Sequence, residues 1–334
     1  RFSVPRTVAN ENRFCASKKN KKKRGKKKKK KGVPKKKNYK PQPVGPQVWL
    51  TLIWHVGLRL PWCWEIGPSD SSERAHFLKM LEHEYPENTL FCGDAGFVGY
   101  EFWTTIHDKD HHFLVRVGAN VRLLKKLGWY VREREGIVYC WPDEAVKKKR
   151  PPLTLRLLHF KDSRGDVYLV TNVLNEKKLS ERRAAEIYTQ RWGIEVQFRS
   201  VKQTFMRRKL RSRAPDQALV ELHWSLLGLW MIQLLAVKEQ TRVGELPENA
   251  SVAAALRVIR TIIRNVSDVP GPNEGLQAQL RDATKDTYER KSKKQSRNYP
   301  RRKEEPSAGA PKIRVATRED KRKLQKAKEL ATAL

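Results

Sequence analysis

IYTQRWGIEVQFRSVK, residues 187 to 202, carries four polar side chains at a Y-x2-R-x3-E-x6-K spacing: Tyr188, Arg191, Glu195 and Lys202. On an α-helix, at about 100° per residue, Arg191 falls at about 300° from Tyr188, Glu195 at about 340° and Lys202 at about 320°. The four therefore share one stripe roughly 60° wide along about four turns. Ile187, Ile194, Phe198, Val201 and Phe205 form a second, apolar stripe beside it, the side that packs on a core. One carboxylate among two cations and a phenol suits a metal beside a phosphate backbone. The same spacing also allows a plain solvated helix, because Arg191 and Arg199 flank Glu195 at i−4 and i+4, where ion pairs are routine.

Composition narrows the choice. The chain has 334 residues, with 71 Lys and Arg against 36 Asp and Glu, a formal charge of +35. Such an excess attracts polyanions, nucleic acid first. The longest apolar run, Trp224 to Val237, is about 14 residues and is broken by Gln233, against the ~20 needed to span a bilayer. No membrane partner and no signal peptide are expected. Cys15, Cys63, Cys92 and Cys140 are scattered without a C-x-x-C, which argues against a zinc site or disulfide framework and for a reducing cytoplasm.

Taken in order, Phe2 and Val4 of RFSVP alternate with polar positions, as the remainder of a strand cut by Pro5. Lys18 to Lys31 and Lys35 to Lys37 form a like-charged loop, either an arm that neutralises phosphates or a merely solvated loop. Val48–Val56 and Leu60–Gly67 read as a β-hairpin. PSDSSERAHFLKMLEHE reads as a helix capped by Ser69, Asp70 or Ser71. Thr89–Cys92 is a buried strand whose exit turn, Gly93 to Gly96, places Asp94 at the carboxyl end of a central strand, where open α/β sheets keep their sites. A helix (YEFWTTIHD) and a strand (His112–Gly118) follow. This order matches a ribonuclease-H-like sheet lacking most of its first strand.

Residues 119–175 are strand-like (GIVYCW, LTLRLLHF, DVYLVTNV), an all-β insertion before the next helix, whose N-cap is Ser180. After Lys202 a second basic cluster follows: Arg207, Arg208, Lys209, Arg211 and Arg213. Ala218–Glu239 is an apolar helix with Trp224 and Trp230 expected in the core. Ser251–Val266 is an amphipathic helix. From about Gly271 to Pro311 the chain reads as disordered, before a short charged helix at Thr317–Leu334. The fold class is α/β: a mixed sheet with an all-β insertion before the last catalytic helix and a disordered basic tail. The domains are 1–47 (truncated first strand and basic loop), 48–118 and 176–269 (the two parts of the core), 119–175 (the insertion) and 270–334 (the tail).

Tyr188, Arg191, Glu195 and Lys202 match the signature of the DDE insertion-sequence transposases, and GDAGFVGY around Asp94 resembles that family's second-aspartate motif. FLVRVGAN is also similar, and the resemblance covers roughly Val48 to Glu239. It implies a ribonuclease-H-like catalytic domain that cuts and joins DNA at element ends. Asp94 and Glu195 would be the catalytic carboxylates holding Mg²⁺ or Mn²⁺. Two such ions about 3.5–4 Å apart would serve the attacking and leaving oxygens. The two acids are therefore expected to meet. Tyr188, Arg191 and Lys202 would position transposon-end DNA, and Arg207, Arg208 and Lys209 would add sequence-independent attraction. The resemblance also implies self-association in a multimeric complex and a nucleoid-associated, cytoplasmic location. The family's first aspartate has no counterpart here, since Asp70 sits in a capping turn, so that residue is expected just before Arg1 in a chain truncated at its amino end. A catalytically inactive DNA-binding remnant and a basic RNA-associated protein are the alternatives.

Overall fold

The computed structural model describes residues 1–15, 45–162, 165–264, 275–285 and 309–332. The Lys18–Lys31 and Lys35–Lys37 runs and residues 286–308 of the tail lie outside the described residues. The elements run β1 (Phe2–Ser3), α1 (Val8–Phe14), β2 (Gln47–His55), β3 (Leu60–Gly67), α2 (Glu73–Met80), β4 (Leu90–Gly93), a 3-10 turn (Ala95–Phe97), α3 (Tyr100–His107), β5 (His112–Val117), β6 (Arg122–Lys125), β7 (Ile137–Cys140) and α4 (Asp143–Lys147). Then come β8 (Leu153–Asp162), β9 (Gly165–Thr171), α5 (Glu181–Gln190), α6 (Gly193–Arg199), a π turn (Ser200–Thr204), α7 (Pro215–Arg242), a 3-10 turn (Pro247–Asn249), α8 (Val252–Arg264), α9 (Leu276–Arg281), β10 (Lys312–Val315) and α10 (Arg318–Thr332). They divide between two compact units, Arg1–Met80 with Trp192–Glu289, and Leu81–Arg191 with Arg290–Leu334.

The first unit holds a three-stranded antiparallel sheet in the order β1-β2-β3. The hairpin register pairs Leu50 with Ile66 and Thr51 with Glu65, and slips by a bulge between Ile53 and Trp54. Phe2, Val4, Phe14, Val48 and Leu50 are buried together with Leu222, Leu226 and Leu229 of α7. Each such side chain contributes about 1.5–3 kcal/mol. Helix α1, too short to show a period in the sequence, is started by Thr7, whose hydroxyl accepts the Asn10 amide. Helix α7 opens on Pro215, which lacks the amide that a first turn leaves unpaired. By length and composition alone α7 is long and apolar enough to cross a membrane. It spends its inner face on core packing, with Ala218, Leu222, Leu226 and Leu229 buried.

Two expectations are corrected in this unit. Trp224, placed in the core by its apolar neighbours, is 66% exposed. Leu276–Arg281, read as disordered, is a helix, because Leu280 packs with Ile232, Ala236, Ala255 and Leu256. Gln240 Nε2 locks it in place by donating to the carbonyls of Leu280 and Ala283.

The second unit is built on a mixed seven-stranded sheet, β10-β6-β7-β8-β9-β5-β4. Pairs β4–β5 and β10–β6 are parallel and the others antiparallel. The stretch read as an insertion continues the sheet of β4 and β5, with β9 pairing against β5 from Leu114↔Thr171 to Val117↔Tyr168. Strand β4 is an edge of this sheet rather than its centre, which corrects the placement of Asp94 on a central strand. Lys312–Val315 adds the other edge. It is followed by Asp320, which accepts from Arg314 Nη2 at 3.0 Å and from the Thr317 amide at 2.8 Å. The core places Leu114, Leu158, Leu169, Val173, Leu179 and Ala184 together, with Trp103 stacked on Phe113 at 5.6 Å.

Candidate active site and nucleic-acid interface

Asp94 follows the last residue of β4 and begins the 3-10 turn. Its Oδ1 accepts the Gly96 amide at 2.8 Å, and Phe97 N–H donates to its carbonyl at 3.0 Å. Both glycines of the GDAG turn are there for room. A Cβ on Gly93 would come within 3.1 Å of Phe97 Cβ, and one on Gly96 within 3.0 Å of Asp94 Oδ1. Trp103 Nε1 holds the far end of the turn through the Phe97 carbonyl, at 3.0 Å. Asp94 is thus exposed on a fixed turn with Oδ2 uncommitted.

In the same unit, Cys92 feels the charges of both Asp94 and Arg191. Its thiol is pushed up to about 12, first by burial, with the Asp94 charge adding to the rise and Arg191 opposing it. Arg191 stands over the Tyr188 ring, 5.2 Å from its centroid. Tyr188 itself is 6% exposed and packed with Leu158, Leu169 and Ala184. Burial raises its phenol, against the charges of Arg191 and Arg116. Its ring is core, and what it offers is a platform for Arg191.

The helix expected to run unbroken through Lys202 is interrupted. Helix α5 ends at Gln190, α6 begins at Gly193, and Lys202 rides on a π turn. The π turn widens the local spiral, so the even 100° register does not hold to Lys202. Tyr188 and Arg191 belong to one unit, Glu195 and Lys202 to the other.

Within its own unit the Glu195 side chain is exposed and makes no hydrogen bond or ion pair with a described residue, while its amide donates to the Trp192 carbonyl at 3.0 Å. The ordinary i,i+4 pair with Arg199 is not formed. Helix α6 is fixed from beneath by Gln197, buried, whose Nε2 donates to the Arg59 carbonyl at the hairpin turn. Lys202 lies 5.3 Å from the Phe2 ring centroid and 5.6 Å from that of Phe198. Burial, then the Arg208 charge, hold its ammonium below the usual range.

Sequence reasoning missed the role of Gly193. A Cβ there would stand 2.5 Å from Cζ2 and 2.8 Å from Cζ3 of Trp54, and closer still to Cη2. The signal was present as the one glycine inside the signature. Of the second basic cluster, Arg207 is half-buried. Its Nε donates to Ser225 Oγ at 3.2 Å and its Nη1 lies 3.8 Å from Glu221, so it is engaged within the protein. Arg208 and Lys209 are exposed.

Among the described residues no group of three or more His, Cys, Asp or Glu is gathered as a metal-binding cluster. The donor chemistry of Asp94 and Glu195 does suit a hard divalent cation, since each keeps carboxylate oxygen uncommitted.

Exposed carboxylates thus stand on a strand-end turn in one unit and on a helix in the other, within a mixed α/β fold. The chain belongs to the transposase DDE domain family, whose model matches residues 13–231. It is similar to the transposase InsG for insertion sequence element IS4 of Escherichia coli (strain K12), 25% identical over 211 residues, 59% of this chain and 47% of that protein. It is also similar to the putative transposase y4zB of Sinorhizobium fredii (strain NBRC 101917 / NGR234), 25% identical over 149 residues, 43% of this chain and 41% of that protein. The chain spans less than half the length of these curated relatives. Among solved structures, a piggyBac transposase synaptic complex with hairpin DNA aligns with 76% of this chain and 54% of that chain, at 12% identity and a TM-score of 0.41.

Proposed function

We propose that this chain serves DNA transposition, cleaving and joining DNA at element ends, with Asp94 and Glu195 as the carboxylates that bind Mg²⁺ or Mn²⁺. Family membership gives the reaction class. The observation that carries the residue assignment is Glu195, a carboxylate flanked by arginines in sequence yet left without an ion pair in its unit. A bound pair of divalent ions supplies positive charge to the attacking and leaving oxygens of the phosphodiester. Asp94 offers its free oxygen from a turn that Gly93, Gly96 and Trp103 hold still, so little ordering is left to the moment of binding.

Arg191, propped on the Tyr188 ring, and Lys202, set beside the Phe2 and Phe198 rings, are the groups we assign to the DNA backbone. Arg208 and Lys209 add attraction without reading sequence. The protein acts at the nucleoid, on paired element ends, as a multimer.

The test uses labelled duplex DNA from the element that encodes the chain. Mg²⁺-dependent nicking at an element end, weak because the family's first aspartate has no counterpart among these residues and lost altogether in Asp94→Ala and in Glu195→Ala, is the expected result. Duplex binding with no Mg²⁺-dependent nick would instead assign a DNA-binding protein without chemistry.

A further inference from the structure

The segment between the π turn and α7 is rich in cations, and its backbone is held from two sides. From one side, Ser3 N–H donates to the Arg208 carbonyl at 3.2 Å and Leu210 N–H donates to the Ser3 carbonyl at 2.8 Å. Thr7 Oγ1 donates to the Arg213 carbonyl at 2.9 Å, and the buried Asn10 donates through Nδ2 to the Ser212 carbonyl at 3.4 Å. Leu210, 3% exposed, is sunk into the core between them.

From the other side comes Glu221 of α7, its side chain 15% exposed. Its Oε2 accepts the Arg211 amide at 2.8 Å, the Ser212 amide at 3.0 Å and the Ser212 hydroxyl at 2.8 Å. Burial alone would raise this carboxyl. The Ser212 hydroxyl, the two amides and the Arg207 charge outweigh it and hold it below the usual carboxylate range. Glu221 therefore stays ionised at neutral pH.

With the backbone fixed, Arg208, Lys209, Arg211 and Arg213 are exposed and make no side-chain hydrogen bond or ion pair with a described residue. Leu210 and Ser212 alternate with them as the inward anchors. A flexible basic loop loses backbone freedom when it binds a polyanion. Here that freedom is already lost on folding.

Glu221 is the informative residue, because its charge is wrong for the task. A carboxylate under a cationic loop weakens the loop's pull on phosphates, so its presence needs a geometric reason. Three donors converging on one oxygen provide that reason. We propose that Arg208–Arg213 is a preformed cradle for the phosphate backbone of duplex DNA, and that Glu221 is its positioning residue, acting through Arg211 and Ser212. The proposal rests on the DNA reading above and adds the device that shapes the contact.

The two views of Glu221 differ in sign, so one titration separates them. Binding of a random-sequence duplex is followed by fluorescence anisotropy across a salt series, at a temperature where every variant is folded by circular dichroism. Arg211→Ala and Arg213→Ala should each flatten the slope of log K against log salt by about 0.9. Glu221→Gln, although it removes a negative charge, should bind about fivefold more weakly and with a flatter slope. Ser212→Ala, a milder change that leaves all charges in place, should weaken binding in the same direction. Equal or tighter binding by Glu221→Gln, with the arginine variants weakened, would overturn the positioning role alone. Unchanged slopes in Arg211→Ala and Arg213→Ala would overturn the cradle. Absence of salt-dependent duplex binding in the unaltered protein would overturn the DNA reading beneath both.

Discussion

Gly193→Ala is the sharpest perturbation the structure offers, because one methyl group separates two opposed effects. In a helix interior alanine is favoured over glycine by up to about 1 kcal/mol. Gly193 opens α6, and there the added Cβ would meet the Trp54 ring at 2.5 Å and 2.8 Å, against about 3.5–4.0 Å for relaxed carbon contacts. The ring or the helix must move by roughly 1 Å or more to restore that spacing. Trp54 follows a bulge in β2, and α6 is tied to the hairpin turn through Gln197, so neither side yields freely. Overpacking of this kind costs about 1–3 kcal/mol, and because only a small part of the interior-helix gain applies at the first residue of a helix, a net destabilisation of about 1–2 kcal/mol remains. Urea unfolding reads this directly. Trp54→Leu makes the room the methyl needs, so Gly193→Ala should cost at least about 1 kcal/mol less in that background. Glu195 is two residues along, so Mn²⁺ affinity should fall in Gly193→Ala and recover in the double variant. A Gly193→Ala protein as stable as the parent, or a cost that ignores Trp54→Leu, would refute the packing explanation.

Arg207→Ala and Arg208→Ala should separate cleanly. The first loses its contacts with Ser225 and Glu221 and should cost about 1 kcal/mol of stability with little change in the DNA salt slope, while the second should do the reverse. Asp320 gives a pH dependence. Its carboxyl is held well below the usual range by Arg314, with the Thr317 amide and hydroxyl adding to this against a partial burial penalty. A depressed folded-state value means stability that is present above the ordinary carboxylate range and lost as pH falls toward the depressed one. Asp320→Asn should therefore be less stable than the parent from pH 7 down to about pH 4, with the gap closing in more acidic solution. A gap constant with pH, measured by urea unfolding, would count against the Arg314 pairing.

Much of this was legible locally. The hairpin at Gln47–His55 and Leu60–Gly67 announced itself through strand formers around a short turn, and Ser180 caps α5 as its chemistry demands, accepting the Arg183 amide. The illegible parts are long-range. Nothing near Lys312 indicates that it pairs with Arg122, or that β4 would be an edge strand. Trp224 shows the limit of composition: its apolar neighbours fix the helix, yet which face turns outward depends on what α7 packs against. The burial of Tyr188 was illegible for the related reason that a helical wheel has no origin until the core is known. Arg207 and Arg208 are neighbours of like charge, and the positions of Ser225 and Glu221 distinguish the engaged one from the exposed one.

The central claim, that Asp94 and Glu195 are divalent-metal carboxylates, is tested most directly by Mn²⁺ binding followed by electron paramagnetic resonance on the purified chain. Changes one shell removed from a metal typically cost about 10–100-fold in affinity, so losing a ligand should cost at least that order. The account predicts a drop of about tenfold or more in both Asp94→Ala and Glu195→Ala. Mn²⁺ affinity unchanged in both variants would contradict it.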